Sequence, residues 1–159
     1  MSRVAIQPGA DWHCETAAQA TRRFILACES QGVTATTFIH PLPDSEGNPI
    51  SLDVGFFGEP NASRLLVIVS GMHGVESLPG AAIQVGWIES GGAQLLPPDT
   101  AVLMVHQANP WGCAYRRRFN EDNIDLNRNF LDFSLPLPLN DRYPAIHDQL
   151  KPGTRLGDF

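Results

Sequence analysis

Two unbroken apolar runs constrain this chain more than any other feature: L-L-V-I-V at Leu65 to Val69 and A-V-L-M-V at Ala101 to Val105. A run that is apolar at every position suits a strand covered on both faces, as in a parallel or mixed sheet. Between the two, Gly80 to Glu89 carries Ala81, Ala82, Ile83, Val85 and Trp87 at helical spacing. Pro79 just ahead of them suits a first helical turn, where its missing N–H costs nothing. Strand, loop, helix, strand is the βαβ pattern. It predicts an α/β fold, a three-layer sandwich around a mixed, largely parallel sheet. Ligands of such sheets gather at the carboxyl ends of the strands. The residues that follow each run, Gly71 to Ser77 and Asn109 to Phe130, are therefore the places to look for chemistry.

The remaining elements are read from local pattern. Glu15 to Ser30 has the apolar spacing of a helix, with Gly32 as its stop. Val33 to Ile39 is rich in Thr and Val and reads as a strand, Pro41 to Pro49 as a turn, and Ser51 to Phe57 as a half-buried strand alternating Leu52, Val54 and Phe56. Asn109 to Phe130 reads as a long loop with brief extended pieces. Leu135 to Pro138 is too rich in proline for a central strand, and Ala145 to Leu150 begins another helix. There is no internal repeat.

Composition removes several classes of function. The 159 residues suffice for one domain with a sizeable core, and the net charge of -6 argues against nucleic acid, whose phosphates want a basic surface. No window approaches the eighteen or so apolar residues that cross a bilayer, and Met1 to Trp12 lacks a signal-peptide core. The expected setting is cytoplasmic, with no membrane partner. Cys14, Cys28 and Cys113 are odd in number and widely spaced, so they read as reduced thiols.

Two stretches carry the chemistry. H-G-V-E at His73 to Glu76 offers an imidazole nitrogen and a carboxylate oxygen three residues apart, on one side of a helical turn. Alone the pair is weak evidence, because five histidines and seven glutamates in 159 residues produce that spacing by chance roughly one time in five. The glycines Gly71 and Gly74 beside it let the backbone bend and approach a ligand closely. The second stretch, N-I-D-L-N-R-N-F at Asn123 to Phe130, sets Asp125, Asn127, Arg128 and Asn129 around one buried leucine, Leu126. A guanidinium meets a carboxylate with two parallel hydrogen bonds, and an adjacent amide adds another. Arg118, upstream, can supply charge to a developing oxyanion. The plain alternatives are a surface histidine beside a carboxylate, and a polar loop stitched by Asn and Asp turns.

The order H-G-V-E, N-P-W-G at Asn109 to Gly112, R-F-N at Arg118 to Asn120, and D-L-N-R-N-F at Asp125 to Phe130 resembles the zinc carboxypeptidase family, the carboxypeptidase A-like metallopeptidases. The corresponding family motifs are H-x-x-E, N-P-D-G, an arginine, and D-x-N-R-N. The longer string G-M-H-G-V-E-S-L-P-G-A-A-I-Q is similar to a bacterial branch of that family, a domain of unknown function. The likeness spans about Leu65 to Phe130. It implies His73 and Glu76 as the first two zinc ligands, Arg118 (or else Arg117) as the group that polarises the scissile carbonyl, and Asn127 and Arg128 as the grip on the substrate carboxylate. The family takes its third ligand, a histidine, and its general-base glutamate from later positions, which count out beyond Phe159. His147 is the only histidine after D-L-N-R-N-F, and it sits in a helical segment too close to Glu76 to match. Trp111 stands where the family has an aspartate that is not a ligand.

Residues 1–159 are thus expected to form one domain, the N-terminal half of a zinc-dependent hydrolase that cleaves an amide bond near a free carboxylate in a small peptide or acyl-amino-acid substrate. His106, at the end of a buried run, is expected to be either a pocket residue or a satisfied buried histidine. A half sheet would expose an unpaired edge and invite self-association. The rival readings are a non-catalytic module in which Arg118, Asn127 and Arg128 capture carboxylate ligands without turnover, and an assembly partner that needs another chain to finish its sheet.

Overall fold

The structure, a computed structural model, describes residues 11–136, 138–139 and 141–150. The readings placed on Met1 to Ala10 and on the last nine residues lie outside them. The helix α1, Ala17–Ser30, starts where the Thr16 side chain accepts the N–H of Gln19, and buries Ala20, Phe24, Ala27 and Cys28 along one stripe. It ends where Gly32 takes φ +71 and the N–H of Val33 folds back to the Cys28 carbonyl. The strand β1, Thr36–Ile39, and the strand β2, Ser51–Phe57, flank a turn in which Asp44 Oδ1 accepts the N–H groups of Glu46 and Asn48. Then come β3, Arg64–Val69, the helix α2, Ser77–Glu89, and β4, Thr100–His106. The strands order as β1-β2-β4-β3 in one sheet.

The α/β class, the mixed sheet and the βαβ unit follow the expectation. β3 and β4 run parallel, Leu65 opposite Ala101 through Val69 opposite Val105, and α2 is the crossover. The sheet is less parallel than expected, since β2 meets β4 antiparallel and β1 meets β2 antiparallel. The turn at residues 40–50 folds β2 straight back along β1 rather than over a helix, which makes that pair antiparallel.

One side of the sheet is covered over its middle, with Ile39 and Leu66 at its edges left exposed. Phe57, Val102 and Met104 pack with Phe24, Ala27 and Cys28 of α1 and Val85 and Ile88 of α2 in a single core. Alternation sends Phe56, Leu103 and Val105 to the opposite face, where β3 adds Leu65, Val67 and Val69 and the β1 edge adds Phe38. Phe38, Phe56, Leu65, Val67 and Val69 all remain exposed. β3 is an edge strand of the sheet, and no third layer lies over it among the described residues. An apolar run specifies a strand, but the number of layers over it depends on what other segments supply.

A buried polar network pins the two parallel strands to α2. Gln84 Nε2 donates to the carbonyls of Ile68 and Val105 at 3.3 and 3.0 Å. Its Oε1 therefore faces the other way and accepts from Ser70 Oγ at 2.8 Å and from His106 Nδ1 at 2.9 Å. His106 is fixed as the Nδ1–H tautomer, stacked on Phe24 with ring centroids 4.5 Å apart. Its Nε2 is buried without a hydrogen bond, so it is a half-satisfied core histidine and not a pocket residue.

Burial pushes the His106 pKa down to about 4. In the unfolded chain the imidazole takes its proton near pH 6.5, so between these values the unfolded state binds more protons than the folded one. Stability is complete above about pH 6.5 and declines as pH falls toward 4, by on the order of 3 kcal/mol. Urea unfolding across that range checks this. His106→Gln is expected to flatten that part of the curve, and an equally steep decline in the variant would contradict the assignment.

Candidate metal and carboxylate site

Because β3 and β4 are parallel, both chains leave the sheet at the same edge, and the two emerging loops are stitched together. Ser70 N donates to Val105 O, Ala108 N to Ser70 O, and Asn109 N to Gly71 O, at 2.9 to 3.0 Å. Gly71 turns the chain with φ +66. A Cβ there would meet Cys113 Sγ and Gln107 Cα at 2.8 Å. His73 follows in an extended conformation and leads into a 3₁₀ turn, Gly74–Glu76, that runs directly into α2. The expected helical turn between histidine and glutamate is present.

The segment after β4 differs from its expectation. Instead of extended pieces it forms the helix α3, Pro110–Tyr115, capped by Asn109, whose Oδ1 accepts the N–H of Gly112 at 2.9 Å. An asparagine cap followed by proline at the first helical position is a start signal present in N-P-W-G. Trp111 stacks on Tyr115, with ring centroids 4.6 Å apart. α3 lies backbone against backbone on the His73 turn: Gly74 N donates to Arg117 O at 3.0 Å, and the Gly74 Cα faces the Gly112 carbonyl with no room for a side chain. Arg117 thus holds the loop through its carbonyl. The nearby Cys113 thiol is pushed up to about 12 by burial, which makes it an inert packing group. All three cysteines are free and buried, as the reduced-thiol reading expects.

Beyond α3, the Asn120 side chain accepts the N–H groups of Asp122 and Ile124, and Asn123 takes φ +62. This tight turn delivers Asp125 to the front of a second 3₁₀ turn, Leu126–Arg128. Asp125 is the residue the sequence pattern leaves without a role, and here it is the hub. Its Oδ1 accepts from His73 Nε2 at 3.0 Å and from the Asn127 backbone N–H at 3.0 Å. Its Oδ2 accepts from Arg118 Nε at 3.0 Å, with Arg118 Nη2 also at 3.0 Å. Burial alone would raise the Asp125 carboxyl pKa. The hydrogen bonds from His73, Arg118 and Asn127 outweigh it and hold the group below the ordinary carboxylate value, so it stays anionic. Arg128 Nη1 turns onto the Asn127 carbonyl at 3.1 Å, and Asn127 and Arg128 are both exposed to solvent. Leu126, expected to be buried, is half-buried because its turn sits on the surface. His147 lies on the helix α4, Tyr143–Leu150, with its ring edge-on to Tyr143.

His73, Arg118 and the Asn127 backbone are thus joined through one carboxylate, which Glu76 and Arg128 do not touch, and this has a consequence at His73. Asp125 only accepts hydrogen bonds, so Nε2 carries a ring proton, and in the neutral ring Nδ1 presents its lone pair. Nδ1 faces Glu76 Oε1 at 3.6 Å, too long for a hydrogen bond. That separation suits two ligands sharing one cation. Zinc with nitrogen and oxygen ligands at 2.0 to 2.2 Å and near-tetrahedral angles would hold them about 3.4 Å apart. His73 and Glu76 therefore fit as two zinc ligands, with Asp125 as the carboxylate that orients the histidine. A catalytic zinc takes three protein ligands. Among the described residues, no cluster of three His, Cys, Asp or Glu side chains forms.

Asp125→Asn weakens the hold on the His73 ring and is expected to lower zinc affinity ten- to a hundredfold, the usual effect of losing such a partner. Competition with a chromophoric chelator measures it. Unchanged affinity would remove Asp125 from the site.

Residues 13–158 match the family described as "Protein of unknown function (DUF2817)". No curated protein matches the chain. Among solved structures, the chain is similar to the glutaminyl cyclase of Tannerella forsythia, with 12% identity over 87% of this chain and 48% of that one at a TM-score of 0.43. It is similar to a Zn-dependent exopeptidase from Parabacteroides distasonis, with 15% identity over 82% and 47% at a TM-score of 0.38. It is also similar to a glutaminyl cyclase of Porphyromonas gingivalis, with 11% identity over 61% and 46% at a TM-score of 0.37. The chain spans less than half the length of each of these structures.

Proposed function

The chain belongs to the DUF2817 family, and from that premise we propose that it carries two zinc ligands and the substrate-carboxylate grip of a zinc-dependent hydrolase acting on an amide bond near a free carboxylate. The observation behind this reading is the convergence of His73 Nδ1 and Glu76 Oε1 while Asp125 holds the opposite edge of the ring. Zinc, when bound, lowers the pKa of a water and polarises a carbonyl. The rest is done by the chain itself. Asp125 keeps the His73 ring in one tautomer and one orientation. Arg118, anchored on the same carboxylate, brings positive charge next to the metal ligands, where the oxygen of a reacting carbonyl gains negative charge. Asn127 and Arg128, on the neighbouring turn and open to solvent, receive the substrate carboxylate. The third ligand and the general base are assigned to no described residue.

An N-acyl amino acid and its C-terminal amide differ only in the group that Arg128 would grip. A charge-assisted hydrogen bond is worth about 1.5–3 kcal/mol, so kcat/KM is expected to favour the free acid by roughly ten- to a hundredfold. Arg128→Ala is expected to erase the preference. Equal rates on both substrates in the parent protein would refute the carboxylate grip.

The lack of a three-residue cluster among the described residues favours one second reading, a carboxylate-binding module without turnover. Calorimetry with an N-acyl amino acid before and after chelator treatment separates the two. Affinity that chelator leaves unchanged supports the module, and affinity that falls with the metal supports the hydrolase.

A further inference from the structure

Between Ser77 and Glu89, Gln84 is the one α2 side chain that carries an amide or a charge, and it is 1% exposed. It meets the sheet where both parallel strands end. Its two amide N–H groups go to the carbonyls of Ile68 and Val105, and its oxygen accepts from Ser70 Oγ and His106 Nδ1. Every donor and acceptor of the amide is used. The network continues outward from there. Ser70 Oγ also accepts the N–H of Gln107 at 3.3 Å, and Gln107 Nε2 donates to the Ala17 carbonyl at 2.8 Å, at the start of α1. Gly80, one turn before Gln84, brings α2 so near that a Cβ there would lie 3.0 Å from Ser70 Cβ. Ser70, His106 and Gln107 are themselves buried.

Filling space does not require this residue. Methionine, unbranched and of similar size, would fit without burying an amide. A fully satisfied buried network contributes something else: it holds the elements it joins in one arrangement. Here those elements carry the arms of the metal site. Glu76 stands at the front of α2, eight residues and about 12 Å along the helix from Gln84. His73 follows Ser70 by three residues on the exit of β3. Asp125 arrives by way of the β4 exit, where Gln107, Ala108 and Asn109 are bonded to Ser70 and Gly71. Ligands of a working site must be held to within about 0.5 Å by residues that are themselves locked.

We propose that Gln84 is a positioning residue of this site, seating α2 and with it Glu76 against the two strand ends that lead to His73 and Asp125. The proposal rests on the zinc reading above and adds the group that sets the ligand spacing from within the core.

Gln84→Met keeps the volume and removes all four bonds. It is expected to weaken zinc binding by at least roughly tenfold, measured by chelator competition on the full chain. Val85→Ala is the control, because Val85 is the next residue on α2, buried in the core and without a polar group. It is expected to lower stability against urea while the folded protein keeps the parental zinc affinity. A merely structural role for Gln84 requires the same pattern in Gln84→Met, stability lost and affinity kept, and that result would overturn the proposal. If Gln84→Met does not fold, Ser70→Ala removes one of the four bonds and is expected to cost roughly threefold in affinity. Parental affinity in Ser70→Ala would then overturn it. A parent chain that binds no zinc at His73 defeats the zinc reading and this proposal together. Zinc bound at His73 equally well in the parent and in Gln84→Met defeats this proposal alone.

Discussion

Replacing His73 with alanine is expected to lower zinc affinity by roughly a hundred- to a thousandfold and, in the complete protein, to bring hydrolysis down to background. The magnitude follows from the 10–16 kcal/mol of apparent binding free energy at four-ligand zinc sites, about 3–4 kcal/mol for each ligand. Glu76→Ala is expected to act in the same direction. The loss should be specific to the metal. Without the imidazole, Asp125 still accepts from Arg118 and from the Asn127 N–H, so the 3₁₀ turn at Leu126–Arg128 keeps its cap. Chelator competition measures the affinity, and thermal unfolding of the metal-free forms controls for folding. Zinc retention equal to that of the parent protein, in either variant, would defeat the assignment.

Gly74→Ala is expected to be the most damaging glycine-to-alanine change among the described residues. The new Cβ would run into the Gly112 carbonyl, its carbon and the Cys113 nitrogen, all backbone atoms. A flexible side chain can move aside from such a contact, but two backbones must separate. Opening this contact also stretches the Gly74 N to Arg117 O bond, and with it the hold of α3 on the loop that carries His73. A cost of at least about 3 kcal/mol is expected, at the upper end for overpacking. Urea unfolding measures the stability and zinc titration the site. A stable Gly74→Ala protein with parental zinc affinity would mean that the α3 contact does not position His73.

How much of this was legible in the sequence depends on the range of each interaction. β2 is read with its true bounds from the alternation of Leu52, Val54 and Phe56, because period two is a local property. The βαβ unit is read from two apolar runs and the helix between them. The same runs could not tell how many layers would cover them. L-L-V-I-V is as apolar as a central strand, yet among the described residues β3 lies at an edge, because coverage is settled by partners elsewhere. α3 escapes a pattern-based reading: Asn109 followed by Pro110 is a helix start, but six residues are too few for periodicity to speak.

The site divides in the same way. The spacing of His73 and Glu76 is local, and the 3₁₀ turn that joins them is found where it was expected. Asp125 acts on a residue 52 positions away. Only the folded chain, with β3 and β4 parallel and their loops stitched together, brings that carboxylate to His73 Nε2. Arg118, Asn127 and His73 are separate candidates in the sequence, and their shared anchor is a property of the fold.

The most direct test is the nitrogen-15 spectrum of the His73 imidazole during a zinc titration. The account predicts that Nδ1 moves to the shift of a metal-bound nitrogen while Nε2 keeps its proton and its bond to Asp125. An unchanged Nδ1, or zinc bound at Nε2 in place of the Asp125 hydrogen bond, would contradict it.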